Sequence, residues 1–387
     1  MTREGLQFLF MIAFILFGAV LRDVNLLIFL AGTLLAMVLI QWRVCARTML
    51  DLKVDRRLPR SIHARRPFEI ELILKNPKSW LGAWWLLVQD RMVFAPIQST
   101  MNRASQTISL LFLSVPPNGS RSQRYRCVAD RRGRYQLMGV ELTTRFPLGL
   151  MRGILYQKDS LYFTVQPALG RLLPGWKELF HVRNTGSKQR RVRALADEGE
   201  FFGLRAYRTG DSPRWIHWRS SARRDELVVK QFQQPESREL VVLLDLVIPS
   251  DTSEETRRAY IKTEDTAVEF VATLVDKMTH GNVGSITVTI ADSSPTLASR
   301  ITARSQGYAL LDRLGNARGS TKSTLGSALQ LLEREYRHVE HLIIISTRSM
   351  PAQWADESGP TIAPFWRSMQ WINTQAGDTI KYFTPSE

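Results

Sequence analysis

The chain has 387 residues, room for two or three domains of ordinary size, and carries 52 Lys plus Arg against 36 Asp plus Glu, a formal net charge of +16. That excess points to an anionic partner, whether nucleic acid, an anionic membrane surface or an acidic protein, and the apolar N-terminus favours the membrane. Two cysteines, Cys45 and Cys127, exclude a disulfide framework and match no metal-ligand spacing, so a reducing compartment is the simplest setting.

Leu6 to Leu21 is apolar apart from Gln7, and Leu26 to Ile40 apart from Thr33, with Arg22-Asp23-Val24-Asn25 between them. Each run gives about 24 Å of helix at ~1.5 Å per residue, a little short of a ~30 Å hydrocarbon core that flanking residues can complete. A single long helix would bury Arg22 and Asp23 at mid-bilayer, so the expectation is a transmembrane helical hairpin over 1–43. A signal peptide fits less well, because a second apolar run follows and no A-x-A cleavage pattern is present. Arg43, Arg47, Lys53, Arg56 and Arg57 follow the second run, which places both termini and the bulk of the chain on the cytoplasmic side of the cell inner membrane.

From 51 to 166 the pattern changes to short strands. Phe68–Leu74 alternates ahead of Asn76-Pro77, and Trp84–Val88, Thr107–Val115 and Tyr125–Val128 follow, bounded by Pro, Gly and Asn. This predicts a small antiparallel β-sandwich of immunoglobulin-like type. The cluster Arg121, Arg124, Arg126, Arg131, Arg132 and Arg134 fits either lipid headgroups or a strand edge guarded by charge.

Residues 167–238 read as a junction. Asn184–Arg193 is polar and expected to be a loop, and Gly199–Phe232 then gathers Trp215, Trp218, His217 and six arginines around the turn Gly210-Asp211-Ser212-Pro213. Trp215-Ile216-His217-Trp218 is apolar enough to be buried, with Trp218 the expected anchor and Arg223 and Arg224 exposed. Asp211 is expected to pair with Arg205 or Arg214 and lock the turn.

From 239 onward apolar strands alternate with helices. The strands are Leu240–Asp245, Val283–Ile290, His341–Ser346 and a late Ile380–Phe383; the helices are Thr263–Met278, Tyr308–Leu314 and Thr324–Tyr336. A turn at Gly281-Asn282-Val283-Gly284 separates the first helix from the second strand. Alternation of this kind predicts a doubly wound α/β domain with a parallel sheet over 239–387.

The order GEFxxLRxYxxGDxxRxIxWxxSAR, followed by Leu-Val-Val-Lys-Gln-Phe and an apolar strand ending in Asp245, resembles the signature of the bacterial family called domain of unknown function 58. Arg131-Arg132-Gly133-Arg134-Tyr135 and Phe146-Pro147-Leu148-Gly149-Leu150 are similar to elements that precede that signature in the family. The resemblance implies a von Willebrand factor A-like C-terminal domain and a partnership with MoxR-type AAA+ ATPases. It also implies that Arg205, Tyr207, Gly210, Asp211, Arg214, Trp218, Ser221, Arg223, Arg224 and Lys230 form a partner-binding signature. In the A-type fold a divalent cation is held by oxygen ligands at the strand ends. Here Asp245 is followed by Leu246-Val247-Ile248-Pro249, Thr324 matches the loop threonine and Thr347 stands where an aspartate is expected. A degenerate site without metal follows, and no cofactor is expected.

Asp211, His217 and Ser221 invite a hydrolase reading, but no nucleophile-elbow context surrounds the serines. Nucleic acid would want exposed aromatics for stacking among the arginines, whereas these aromatics look buried. No G-x-x-x-x-G-K-[ST] loop is present, so the chain is not read as an ATPase. The expectation is a membrane-anchored adaptor that is not an enzyme, linking an AAA+ ATPase to a client protein.

Overall fold

The computed structural model describes residues 1–95, 105–180, 200–209, 211–233, 239–249, 253–281, 284–321, 325–336, 341–350 and 369–386. The expected loop at 184–193, Gly210, Asn282-Val283 and Thr324 lie outside the described residues. The chain divides into two compact units, one of Met1–Leu169 with Tyr308–Ala317, the other of Gly170–Gly307 with Arg318–Ser386.

The first unit opens with helices α1 (Arg3–Leu21) and α2 (Asn25–Met49), both long and apolar enough to cross a membrane. Only 17% of each apolar window is buried, unlike the core helix of a soluble domain. Thr2 caps α1, its hydroxyl accepting from the Gly5 amide at 3.0 Å. The second helix runs past Ile40, where the apolar run ends. Its last turns bury Cys45 and Met49, and Met49 joins the core of the β-strands that follow.

Those strands are β1 (Lys53–Arg57), β2 (Pro67–Asn76), β3 (Ala83–Phe94), β4 (Ser105–Val115), β5 (Gly119–Val128), β6 (Gly133–Leu137), β7 (Val140–Thr144), β8 (Gly153–Gln157) and β9 (Leu161–Val165). One sheet has the order β1-β2-β5; the other runs β8-β7-β3-β6-β9, with β4 also paired to β3. All these pairings are antiparallel. Period-2 alternation turns Ile70, Leu72 and Leu74 from one sheet and Leu86, Val88 and Leu142 from the other into a shared core, where full burial of each such side chain is worth about 1.5–3 kcal/mol. Strand β5 is a sheet edge, with Arg126 and Arg124 paired across it to Glu69 and Glu71, so these arginines guard an edge. Inside the core, Arg56 clamps Asp90, and the Tyr125 hydroxyl donates to the same carboxylate at 2.6 Å. Burial, then the Asp90 charge, pushes the Tyr125 phenol up.

The second unit holds β10 (Arg171–Leu172), the hairpin β11 (Glu200–Ala206) and β12 (Val228–Gln233), and the short helix α3 (Trp218–Arg224). It continues with β13 (Glu239–Asp245), α4 (Glu254–Gly281), β14 (Ser285–Ala291) and β15 (Thr296–Ile301); α5 (Arg304–Asn316) follows, its residues from Tyr308 on belonging to the first unit, and the second unit resumes with α6 (Leu325–Glu335), β16 (Leu342–Ser346), β17 (Met369–Asn373) and β18 (Phe383–Thr384). The central sheet is ordered β15-β14-β13-β16-β17. β13 pairs in parallel with β14 and β16, and β16 with β17, while β15 is antiparallel to β14. Val241, Leu243, Leu342 and Ile344 pack with α6, and the alternate residues Leu240, Val242 and Leu244, equally buried, face the other way.

The wholly parallel sheet expected from sequence is therefore a mixed one. β15 and β17 were not anticipated: β15 returns across a short turn, and β17 is only half-apolar outward. The expected late strand Ile380–Phe383 is also corrected. Asp378–Lys381 forms a 3-10 turn after Gly377, whose φ of +84° suits glycine, and only Phe383–Thr384 is extended, paired with β10.

Candidate functional site

In the β11–β12 hairpin, Leu204 faces Lys230, Arg205 faces Val229 and Ala206 faces Val228, with a bulge between Phe201 and Gly203. The connection between these strands carries the signature. Arg205 grips Asp211 with both terminal nitrogens, each 2.7 Å from one carboxylate oxygen, and the Arg208 amide donates to Asp211 Oδ2 at 2.9 Å. Of the two partners weighed from sequence, Arg205 is the one that fixes the turn. The Arg205 guanidinium, and then the Arg208 amide, hold the Asp211 carboxyl below its usual range, and the same contact raises Arg205. The Asp211 side chain is 15% exposed, so solvent screens part of the attraction.

After a 3-10 turn at Pro213–Trp215, His217 becomes the N-cap of α3, its Nδ1 accepting from the Ser220 amide at 3.2 Å. The His217 amide donates to Val228 O at 2.8 Å, and Ser221 Oγ accepts from the Val228 amide at 2.9 Å. Ser221 Oγ also donates to the His217 carbonyl at 3.1 Å. A buried serine thus fastens the short helix to the hairpin. Tyr207 extends the tie, its amide donating to Leu227 O at 2.7 Å.

Trp218 occupies the first helical position and is 66% exposed, which corrects the expectation of a buried anchor. Ser221, three residues on, is buried against the hairpin, while Trp218 beside the cap is left open. Arg214, Arg223, Arg224 and Lys230 are exposed, as was expected for Arg223 and Arg224. Asp211, His217 and Ser221 do not form a relay: the carboxylate holds Arg205, the imidazole caps a helix and the hydroxyl is bonded to backbone.

The second cluster lies at the carboxyl ends of β13 and β16. Asp245 is fully buried, and its Oδ2 accepts from Ser346 Oγ at 2.8 Å and from Arg348 Nε at 2.9 Å. Its Oδ1 accepts from the Val247 amide at 3.1 Å. Thr347 is buried beside them. The nearby crevice lined by Leu246, Ile248, Tyr260, Glu264, Gly319 and Thr347 has no room for a water-sized group. Glu264 accepts there from the Gly319 amide at 2.9 Å and from Arg318 at 3.3 Å. Among the described residues no three His, Cys, Asp or Glu side chains gather as a metal site. Ser346 and Arg348 were not singled out from sequence; the one signal available was a cation two residues beyond a buried strand.

Residues 203–356 match the family described as "Protein of unknown function DUF58", which supports the family that the signature resembles. No curated protein matches the chain. Among solved structures, 30% of this chain is similar to 16% of a beta-glucosidase from Listeria innocua at 8% identity and a TM-score of 0.21. The same share is similar to 30% of the alkylpurine DNA glycosylase AlkC from Pseudomonas fluorescens at 17% identity and a TM-score of 0.21. It is similar to 92% of the CARDB domain of PF1109 from Pyrococcus furiosus at 14% identity and a TM-score of 0.19. The chain thus spans less than a third of the first two proteins, and likeness at this level bears on neither fold nor activity.

Proposed function

We propose that this chain is a membrane-anchored adaptor whose signature helix docks a protein partner, with its bulk on the cytoplasmic side of the inner membrane. The partner class implied by the signature is a MoxR-type AAA+ ATPase, and the α/β unit is read as von Willebrand factor A-like, with Arg348 filling the cation position. One observation carries the docking assignment. Trp218 stands 66% exposed at the start of a helix that ends in exposed Arg223 and Arg224, while the inward groups of the same helix are tied to the hairpin. An exposed Trp beside arginines is the composition of an interface anchor. The test is the full chain carrying Arg223→Glu with Arg224→Glu. The melting temperature should hold, since exposed charges contribute only ~0–1 kcal/mol, while capture of the ATPase should weaken and lose salt dependence. Undiminished capture at low salt by the folded variant overturns the assignment of this surface.

The exposure of Trp218 also favours a second reading, because it supplies the stacking platform that the nucleic-acid hypothesis required. Single-stranded oligonucleotide binding that falls steeply with salt and is lost in Trp218→Ala would select it over the adaptor. Orientation is checked separately. A cysteine at exposed Thr107 should resist a membrane-impermeant reagent applied to intact cells, and labelling from outside would reverse the topology.

A further inference from the structure

The connection between β7 and β8 is fastened into the end of the helical pair. Gln41 on α2 has no exposed surface, and its side-chain oxygen, assigned to the loop side because three backbone N–H groups converge there, accepts from the amides of Gly149 at 3.2 Å, Leu150 at 3.0 Å and Met151 at 3.1 Å. From α1, the Thr2 amide donates to Leu150 O at 3.2 Å, and the Thr2 hydroxyl lies 2.9 Å from that same oxygen. Gly5 lets the two backbones touch, because a Cβ there would collide with the Leu150 carbonyl. Leu150 and Met151 then pack with Phe8, Ile12, Leu34 and Val38, residues of the apolar runs themselves. A loop of the β-sandwich therefore lies level with residues that the membrane reading places in lipid. Backbone N–H groups left open at that depth are costly; the Gly149 amide already donates to Arg145 O at 2.8 Å, and Gln41 provides the acceptor for those of Leu150 and Met151.

What the loop leaves uncovered has the composition of a membrane interface. Leu148 is 47% exposed at the tip, and exposed Trp85 rests edge-on against Phe146 at 6.3 Å. Trp42 is exposed on α2 one residue after Gln41, and exposed Trp80 lies under the Arg47 guanidinium at 5.5 Å. From Gln41 to Arg47 the helix rises about 9 Å at ~1.5 Å per residue, on the order of one headgroup layer. Tryptophans with arginines at this level form the belt found where helices leave a bilayer.

We propose that the loop Arg145–Arg152 is an interfacial membrane-binding element that takes the headgroup-to-acyl boundary of phospholipid, with Leu148 inserted and Trp85, Trp80 and Trp42 around it. It rests on the reading of α1 and α2 as a bilayer anchor. The sandwich is then held flush against the membrane by its own loop, in addition to the covalent tether.

The experiment places a nitroxide on the full chain at Leu148→Cys, at Phe14→Cys in the middle of α1, or at Thr107→Cys on β4. Eight residues of β4 separate Thr107 from Val115, which is paired to Ala83, or about 27 Å at ~3.4 Å per residue. The native cysteines are buried, and the parent chain treated alike provides the background. Each protein is reconstituted in vesicles of phosphatidylcholine with a minor share of phosphatidylglycerol, and collision with oxygen is compared with collision with an aqueous nickel chelate. Leu148 and Phe14 should both favour oxygen several-fold more than Thr107. A Leu148 label as open to nickel as Thr107, with Phe14 shielded, overturns the loop assignment and leaves the anchor standing. Phe14 open as well overturns both.

Discussion

Arg348 and Asp245 form a buried ion pair at the carboxyl edge of the parallel strands, with Nε 2.9 Å from Oδ2 and side chains 8% and 0% exposed. A charged pair taken out of water persists only with further hydrogen bonds, and Ser346 and the Val247 amide provide them. Asp245 thus has a cation from its own chain as its partner.

Removing one member of that pair should be costly. Arg348→Met is expected to destabilise the fold by about 3–5 kcal/mol, because the carboxylate stays buried without its counter-charge. Asp245→Asn combined with Arg348→Met should lose less than the sum of the single changes, as denaturant unfolding of all four proteins would measure. Simple additivity would mean the two side chains are not coupled.

Divalent cations should find this carboxylate occupied. Mg²⁺ or Mn²⁺ is expected to leave the melting temperature unchanged, since a ligand that does not bind the native state cannot raise it. A saturable rise that vanishes in Asp245→Ala would show the opposite.

Within the signature, the ranking of stability effects should follow burial and not size. Trp218→Ala is expected to change stability by no more than about 0.5 kcal/mol, as for other exposed positions. Ser221→Ala strips a buried hydroxyl from the Val228 amide and the His217 carbonyl, and should cost about 1–3 kcal/mol. Thermal melts of the two variants side by side would decide it, and a larger loss in Trp218→Ala contradicts the described geometry.

Acid should loosen the signature turn. Asp211 has its carboxyl depressed in the folded chain, so its contribution is present above the unfolded value of ~3.9 and lost as pH falls through the lower folded value. Asp211→Asn should therefore be less stable than the parent at neutral pH and lose less on acidification to about pH 3. Parallel melting curves that keep a constant gap would refute the linkage.

At the start of α1, Gly5→Ala should disturb the loop contact, because the new Cβ meets backbone and not a pliable side chain. Overpacking of this kind costs about 1–3 kcal/mol, measurable as a lower midpoint in detergent. Ala at Gly18, which has open space around it, is the control and should be neutral or stabilising.

How far the sequence could be read depended on the range of the interaction. Apolar runs gave both N-terminal helices, and alternation gave the strands around Ile70 and Leu86, because each is a local signal. The Arg205–Asp211 pair was legible for the same reason, its members lying six residues apart. Trp218 was misread since α3 has only seven residues, too few for periodicity to mark an inner face. Arg348 meets a partner 103 positions away, and Gln41 meets a loop more than a hundred residues on, so neither pairing leaves a local trace. The continuation of α2 to Met49 escaped notice because its polar tail breaks the apolar run and is covered by the sandwich.

The pairing of Leu172 with Phe383 sets an order of events during synthesis. Phe383 is almost fully buried and its ring lies 5.2 Å from that of Phe270, so the strand that opens the second unit is completed by residues made more than two hundred positions later. At roughly 5–20 residues per second, Leu172 waits on the order of 10–40 s for its neighbour, while the apolar helices have long since left the ribosome. Both apolar helices are thus made well before the α/β unit can close, and a chain stopped short of Phe383 would leave that unit unfinished.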